Sequence, residues 1–109
     1  MSLEIFKEAI EKKLVVSFEY NIPGKSNGLR IGNPHAIFEA EKKDGSKSIQ
    51  MHFVQTDGVS DSSKPFPSFR MFSFKDVSNA QICLPNKKFT VSKDYNPNWD
   101  GYKKAIVKI

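Results

Sequence analysis

The 109-residue sequence predicts an α+β fold dominated by strands: one N-terminal helix on a small, strongly curved or barrel-like sheet of about five to seven strands. Three observations predict it. Apolar residues recur at helical spacing only at the start of the chain. From Val16 onward the period falls to two. Turn dipeptides then divide the chain into short extended runs.

Ser2 to Lys13 reads as the helix. Ser2 is placed to cap it, and Glu4 lies in the first turn, where the helix dipole favours negative charge. Leu3, Phe6, Ala9 and Ile10 form one apolar stripe, and Glu8 and Lys12 are an i,i+4 pair in the favourable order. A lone amphipathic helix cannot bury its stripe, so it must pack on the strands C-terminal to it. Val16, Phe18 and Tyr20 alternate with Ser17 and Glu19, as in a half-buried strand. Pro23-Gly24 and Asn27-Gly28 mark a turn. Leu29 to Ile31 reads as a short strand ending before Pro34, and Ala36 to Ala40 as another. Asp44-Gly45 signals a hairpin into a strand over Ser48 to Gln55, with Ile49, Met51 and Phe53 on one face and Gln50, His52 and Val54 on the other. Gly58 to Pro67 reads as a polar loop in which Phe66 is clamped between two prolines. Ser68 to Phe74 and Ala80 to Leu84 are strands separated by a tight turn at Lys75 to Val77, and Lys104 to Ile109 is a closing strand.

Length and composition narrow the function classes. The chain fits one domain, too short for a doubly wound dinucleotide fold or an eightfold barrel. No apolar run approaches the roughly 20 residues of a membrane span, and no secretory start is visible. A single Cys excludes an internal disulfide framework. The expectation is a soluble, cytoplasmic protein without a membrane role. The net charge is +5, and 15 of the 17 basic residues are Lys. Such a balance suits attraction to polyanions without demonstrating it.

Motifs for catalysis are missing. No phosphate-cradling glycine pattern occurs, and His35, His52 and Cys83 lack zinc-ligand spacing. The expectation is therefore no metal and no cofactor. Cys83, in an apolar strand context, reads as a small buried hydrophobe. No pair of carboxylates is placed for acid/base work, so the expectation is a non-enzyme.

Three segments carry a family resemblance: Glu8-Ala9-Ile10 with Val15 to Tyr20, Arg30-Ile31-Gly32-Asn33-Pro34-His35, and Arg70 to Val77. In this order and spacing, over roughly residues 3 to 82, the sequence resembles the WYL domain of bacterial regulators. That pattern has an AI helix, an apolar strand ending in Tyr and R-x-x-x-P. A strand with Trp-Tyr-Leu and then R-x-F-x-hydrophobic-D-R-I complete it. The tail, with Phe89 and Asp94-Tyr95-Asn96, is similar to that of small stand-alone relatives. The Trp-Tyr-Leu tripeptide is absent, its counterpart being Ile49-Gln50-Met51, and the Arg of D-R-I falls on Asp76. Only one helix fits before the first strand, so the expectation is a WYL-like domain without a helix-turn-helix. The resemblance implies a single WYL-like domain over residues 1–109. It would comprise a helix (1–13), an Sm-like or SH3-like barrel (14–84) and a C-terminal extension with a closing strand (85–109). It also implies a regulatory, ligand-binding module for nucleic acid or nucleotides.

The residues themselves support a candidate site. A guanidinium is a planar fork suited to phosphate and to stacking, and Arg30 and Arg70 both fall on strands in a chain that otherwise uses Lys. They are expected within about 10 Å of each other on one face, a few strand separations. Gln50 and His52 are placed to flank them, His35 joins them, and Ser60 and Ser62 offer hydroxyls to an oxyanion. Phe66 or Phe69 would stack on a base if exposed. Against this stand plainer readings: core Phe72 and Phe74, a rim Arg70, His35 bonding its neighbours, a solvated strand face and an ordinary loop. A homodimer or partner protein docked on a sheet edge or on the 58–67 loop is the alternative function.

Overall fold

A computed structural model of the chain describes residues 2–21, 28–59, 65–83 and 87–109, with side chains from Leu3 onward. The first element is α1 (Ser2–Lys12). Its stripe is buried as expected, with Phe6, Ala9 and Ile10 at 1 % exposure or less. Glu8 and Lys12 pair on the open face at 3.4 Å. The Ser2 side chain, expected to cap the helix, lies outside the described residues. At the C-terminus Lys13 adopts a left-handed φ of 59°. Leu14 N–H then bonds Ala9 C=O at 2.8 Å and Lys13 N–H bonds Ile10 C=O at 3.4 Å. This is a Schellman closure, and its Leu14–Ala9 apolar pair turns the chain into the sheet.

Six strands come next: β1 (Val16–Tyr20), β2 (Gly28–Glu41), β3 (Lys47–Gly58), β4 (Ser68–Ser73), β5 (Val77–Ile82) and β6 (Ala105–Lys108). A 3-10 turn at Phe74–Asp76 joins β4 to β5, and a second at Asp100–Lys104 precedes β6. All pairings are antiparallel, in the order β4-β3-β2-β1-β5. β1 takes Gly28–Gly32 and β6 takes Ala36–Phe38, so two strands share one edge of β2. The path is open, since β4 and β5 end it without pairing to each other. The fold is therefore α+β, mostly β, and β6 closes onto β2 rather than closing the sheet.

β2 corrects the sequence reading. Pro34 does not end a strand; it lies inside one 14-residue strand. Pro34 pairs with Phe53 and Ala36 with His52, leaving His35 as the extra residue of a bulge. A bulge accepts a proline that cannot donate to the ladder, and it shifts the alternation by one. Ile37 is thereby turned to the helix-covered face and Ala36 and Phe38 to the other. At Gly32 the neighbouring β3 backbone leaves no room for a side chain: a Cβ there would stand 2.0 Å from Val54 C=O.

The sheet thus carries two apolar layers. Its inner face, under α1, holds Val16, Phe18, Ile37, Met51, Phe53 and Phe72 with Phe6, Ile10 and Leu14 from the helix side. Phe18 is the hub, edge-on to Phe6, Phe53, Phe72 and Tyr20 at 5.1–6.3 Å between centroids. The outer face holds Ala36 and Phe38, covered by Tyr102 and Tyr95 of the C-terminal segment. Cys83 is not a buried hydrophobe: it lies just past β5 and is exposed. Its apolar neighbours Ile82 and Ala80 belong to the strand, which stops one residue short of it.

Candidate ligand-binding site

Arg30 and Arg70 share the inner face. Arg30 pairs with Phe18 across β1 and with the bare backbone of Gly58 across β3. Arg70 pairs with Phe53. Directly opposed residues project to the same side, so both guanidiniums point the way of the aromatic core. Arg30 is 2 % exposed, and its guanidinium carbon stands 5.6 Å from the ring centroids of both Tyr20 and Phe72. Desolvated contacts of this kind contribute about 2 kcal/mol. Arg70 is half-buried: its Nε donates to Ser68 Oγ at 2.7 Å, and its guanidinium lies 5.4 Å from the Phe66 ring. Phe66 is 38 % exposed, so an arginine and an accessible ring stand side by side at this end of the sheet.

Two more polar groups complete this end. Gln55 is wholly buried; its Nε2 donates to Asp57 C=O at 3.0 Å and Val59 C=O at 2.8 Å. Its Oε1 has no hydrogen-bond partner among the described residues. The Tyr20 hydroxyl accepts the Ser73 N–H at 2.9 Å. Burial pushes the Tyr20 pKa up, the amide bond opposes that, and the Asp76 charge adds to it. Tyr20 therefore stays a neutral phenol beside Arg30.

The remaining expected members do not join the arginines. Gln50 pairs with Phe38 and Ser73, and His52 with Ala36 and Met71, which places both on the outer face. They are separated from Arg70 by the sheet itself, because Arg70 opposes Phe53, the residue after His52. Gln50 Nε2 donates to Ser48 Oγ at 2.9 Å. His52 Nδ1 lies 2.6 Å from the Tyr102 hydroxyl, with its ring against Phe38, Phe69 and Trp99. Burial lowers its pKa, and proximity to His35 lowers it further. Burial raises the Tyr102 pKa to about 12, with Tyr95 adding to it.

His35 is also outer-facing and fully buried. Its Nδ1 meets Asn33 C=O at 2.8 Å and its Nε2 accepts the Ser92 N–H at 3.0 Å. Phe89 stacks on the ring, and Tyr95 and Phe69 meet it edge-on. Burial pushes its pKa down, against a smaller upward pull from the Asn33 bond. Phe69 is therefore occupied by two histidine rings, whereas Phe66 is open. Ser60 and Ser62 lie outside the described residues.

The expected site is thus two arrangements on opposite faces. Gln55 and Tyr20 belong to the inner one; Gln55 is not singled out by the sequence reading, although continuing the alternation of Met51 and Phe53 by two residues reaches it. Trp99 and Tyr102 belong to the outer one and carry no periodic signal, since they come from turns. Elsewhere, Lys42, Lys47 and Lys75 converge with Glu39 on a cleft of about 450 Å³ floored by Ile49 and Phe74. Glu39 binds Lys47 at 3.6 Å and Lys104 at 3.9 Å, so part of that charge is neutralised. No group of ligating side chains suited to a metal ion occurs among the described residues. No helix among them is long and apolar enough to cross a membrane. Searches against protein-family models, curated proteins and solved structures returned no match.

Proposed function

We propose that this chain is a non-enzymatic, WYL-like ligand-binding module of the cytoplasm, a small Sm-like or SH3-like barrel in which the open sheet curls round its core. Its ligand is nucleic acid or a nucleotide-type anion. The observation that carries the reading is the Arg70 guanidinium beside the accessible Phe66 ring, with Arg30 on the same face of the sheet. A guanidinium next to an open aromatic ring suits a phosphate joined to a base: one group takes the charge, the other the π-face. Arg30 acts from within, holding Tyr20 and Phe72 as the wall behind that end.

Anisotropy of a labelled single-stranded oligonucleotide and of labelled nucleotides tests this. Binding should weaken steeply with salt. Arg70→Ala should weaken it about tenfold or more, the cost of one charge-assisted contact, with the far-ultraviolet spectrum unchanged. Absence of binding to either probe at low salt would refute it.

A second reading, a protein-interaction module, is favoured by Met71, which is 59 % exposed on the edge strand β4. A partner chain retained at high salt and lost in Met71→Lys would support it over the first.

A further inference from the structure

From Phe89 to the start of β6 the chain crosses the outer face in turns that bond chiefly to themselves. Tyr95 N–H meets Ser92 C=O, Trp99 N–H meets Asn96 C=O, and Tyr102 N–H meets Trp99 C=O. Among the described residues, the one main-chain hydrogen bond from residues 90–104 to the sheet is Ser92 N–H to His35 Nε2.

That bond works in one protonation state only. A carbonyl accepts and never donates, so the His35 nitrogen facing Asn33 C=O carries the proton. An amide N–H donates and never accepts, so the nitrogen facing Ser92 is bare. The buried ring is a neutral imidazole of one tautomer. A second proton would place donor against donor and leave a charge among Phe69, Phe89 and Tyr95.

The titratable groups packed on this ring are few. His52 faces it from β3 and Tyr95 from the crossing segment, with Tyr102 beyond on His52. At the margin the exposed Lys93 and Asp94 come after Ser92, and Lys108 of β6 pairs with Ala36. No hydrogen bond or ion pair joins a carboxylate to either imidazole among the described residues.

We propose that residues 90–104, beyond the Phe89 N–H bond to Lys13 C=O, form a strap latched by neutral His35 and released when His35 takes a second proton, laying open the aromatic outer face of β2 and β3. The released ring returns to water and to an ordinary proton affinity, whereas burial holds it down in the latched state. Acid therefore favours the open form, whose weight relative to the latched one rises up to tenfold per pH unit for one proton taken up. His52 is not the latch. Its partner is a hydroxyl, which accepts as well as it donates, so that bond survives protonation. Release would uncover Phe38 and widen access to Phe69 and His52, which the latched protein leaves only partly exposed.

Hydrogen exchange of the full chain at about pH 7.5 and about pH 5.5, either side of the ordinary imidazole pKa, tests it after correction for intrinsic exchange rates. Residues 90–104 should lose protection by about tenfold, the limit for one proton taken up at an ordinary imidazole, while α1, β1 and β3 keep theirs. In His35→Gln the carboxamide oxygen can accept from Ser92 at any pH, so the strap should stay protected at the lower value. A strap that remains protected in acid, or opens only together with β1 and β3, overturns the proposal, as does a His35→Gln strap that opens like the wild type. Should that variant fail to fold, imidazole resonances of the wild type decide. The Ser92 amide must lose its protection along the same curve on which His35 titrates, and a His35 that protonates with Ser92 still protected overturns the latch.

Discussion

The two faces of the sheet are both aromatic and both closed by a segment from outside it, yet they are built on different physics. The inner face is closed by α1, whose apolar stripe meets a cluster of edge-on rings around Phe18, and the only full charge in its described depth is Arg30, laid across two ring faces. The outer face is closed by turns, and its contacts centre on two imidazoles, two phenols and an indole. Dispersion and burial hold the first and are indifferent to pH. Hydrogen bonds whose direction depends on a proton hold much of the second. Equal burial therefore does not mean equal robustness: Phe18 and His35 are both at 0 % exposure, and only one of them has a chemical state to lose.

Truncating one ring on each face puts the greatest strain on this contrast. Phe18→Ala should cost about 3–5 kcal/mol and destabilise the whole domain in a single urea transition. Phe38→Ala, equally buried, should instead separate the Trp99 fluorescence transition from the far-ultraviolet transition, because Trp99 rests on Phe38 at 5.5 Å. Coincident transitions in Phe38→Ala would mean that the two faces are one cooperative unit.

Acid has the next largest effect. The folded-state pKa values of His35 and His52 lie below the ordinary value of about 6.5, so below that pH the unfolded chain binds more protons than the folded one. Stability is fully present above about pH 6.5 and falls as pH drops toward the folded-state values, by up to about 1.4 kcal/mol per unit for His35. His52, nearer to water, adds a smaller share. Urea midpoints across this range should fall for the wild type and flatten in His35→Gln; a flat wild-type profile would remove the distinction between the faces. The smallest effect is expected from Tyr102→Phe, which deletes the 2.6 Å bond to His52 and keeps the ring. It should cost about 1 kcal/mol by the same urea measurement, and no change would show that packing alone seats Tyr102.

The inner layer was far more legible in the sequence than the outer one. α1 and β1 are readable from periodicity, because each side chain there is placed by its own element: Phe6, Ala9 and Ile10 by the helix turn, Val16, Phe18 and Tyr20 by the strand pleat. The Met51, Phe53 and Gln55 face of β3 is readable in the same way. Pro34 misled, since a proline ordinarily ends a central strand and the bulge at His35 that accommodates it has no local signature. The candidate site split for a related reason. Alternation tells which residues of one strand share a face, but joining Gln50 and His52 to Arg70 requires the register of β3 against β4, a long-range property. Cys83 was misjudged by a single residue of strand length. The aromatic strap was invisible because Trp99 and Tyr102 come from turns, where no period exists to read.

One contact reaches beyond the folding of a single molecule. The Tyr20 hydroxyl, carried on β1, takes up the Ser73 N–H on β4, the strand that ends the sheet. An outward amide on a border strand invites a neighbouring molecule to add a strand of its own, the first step toward β-type aggregates. The phenol fills that amide from within, so the chain carries its own stopper at that end of β4 and limits how far any foreign strand can zip along it.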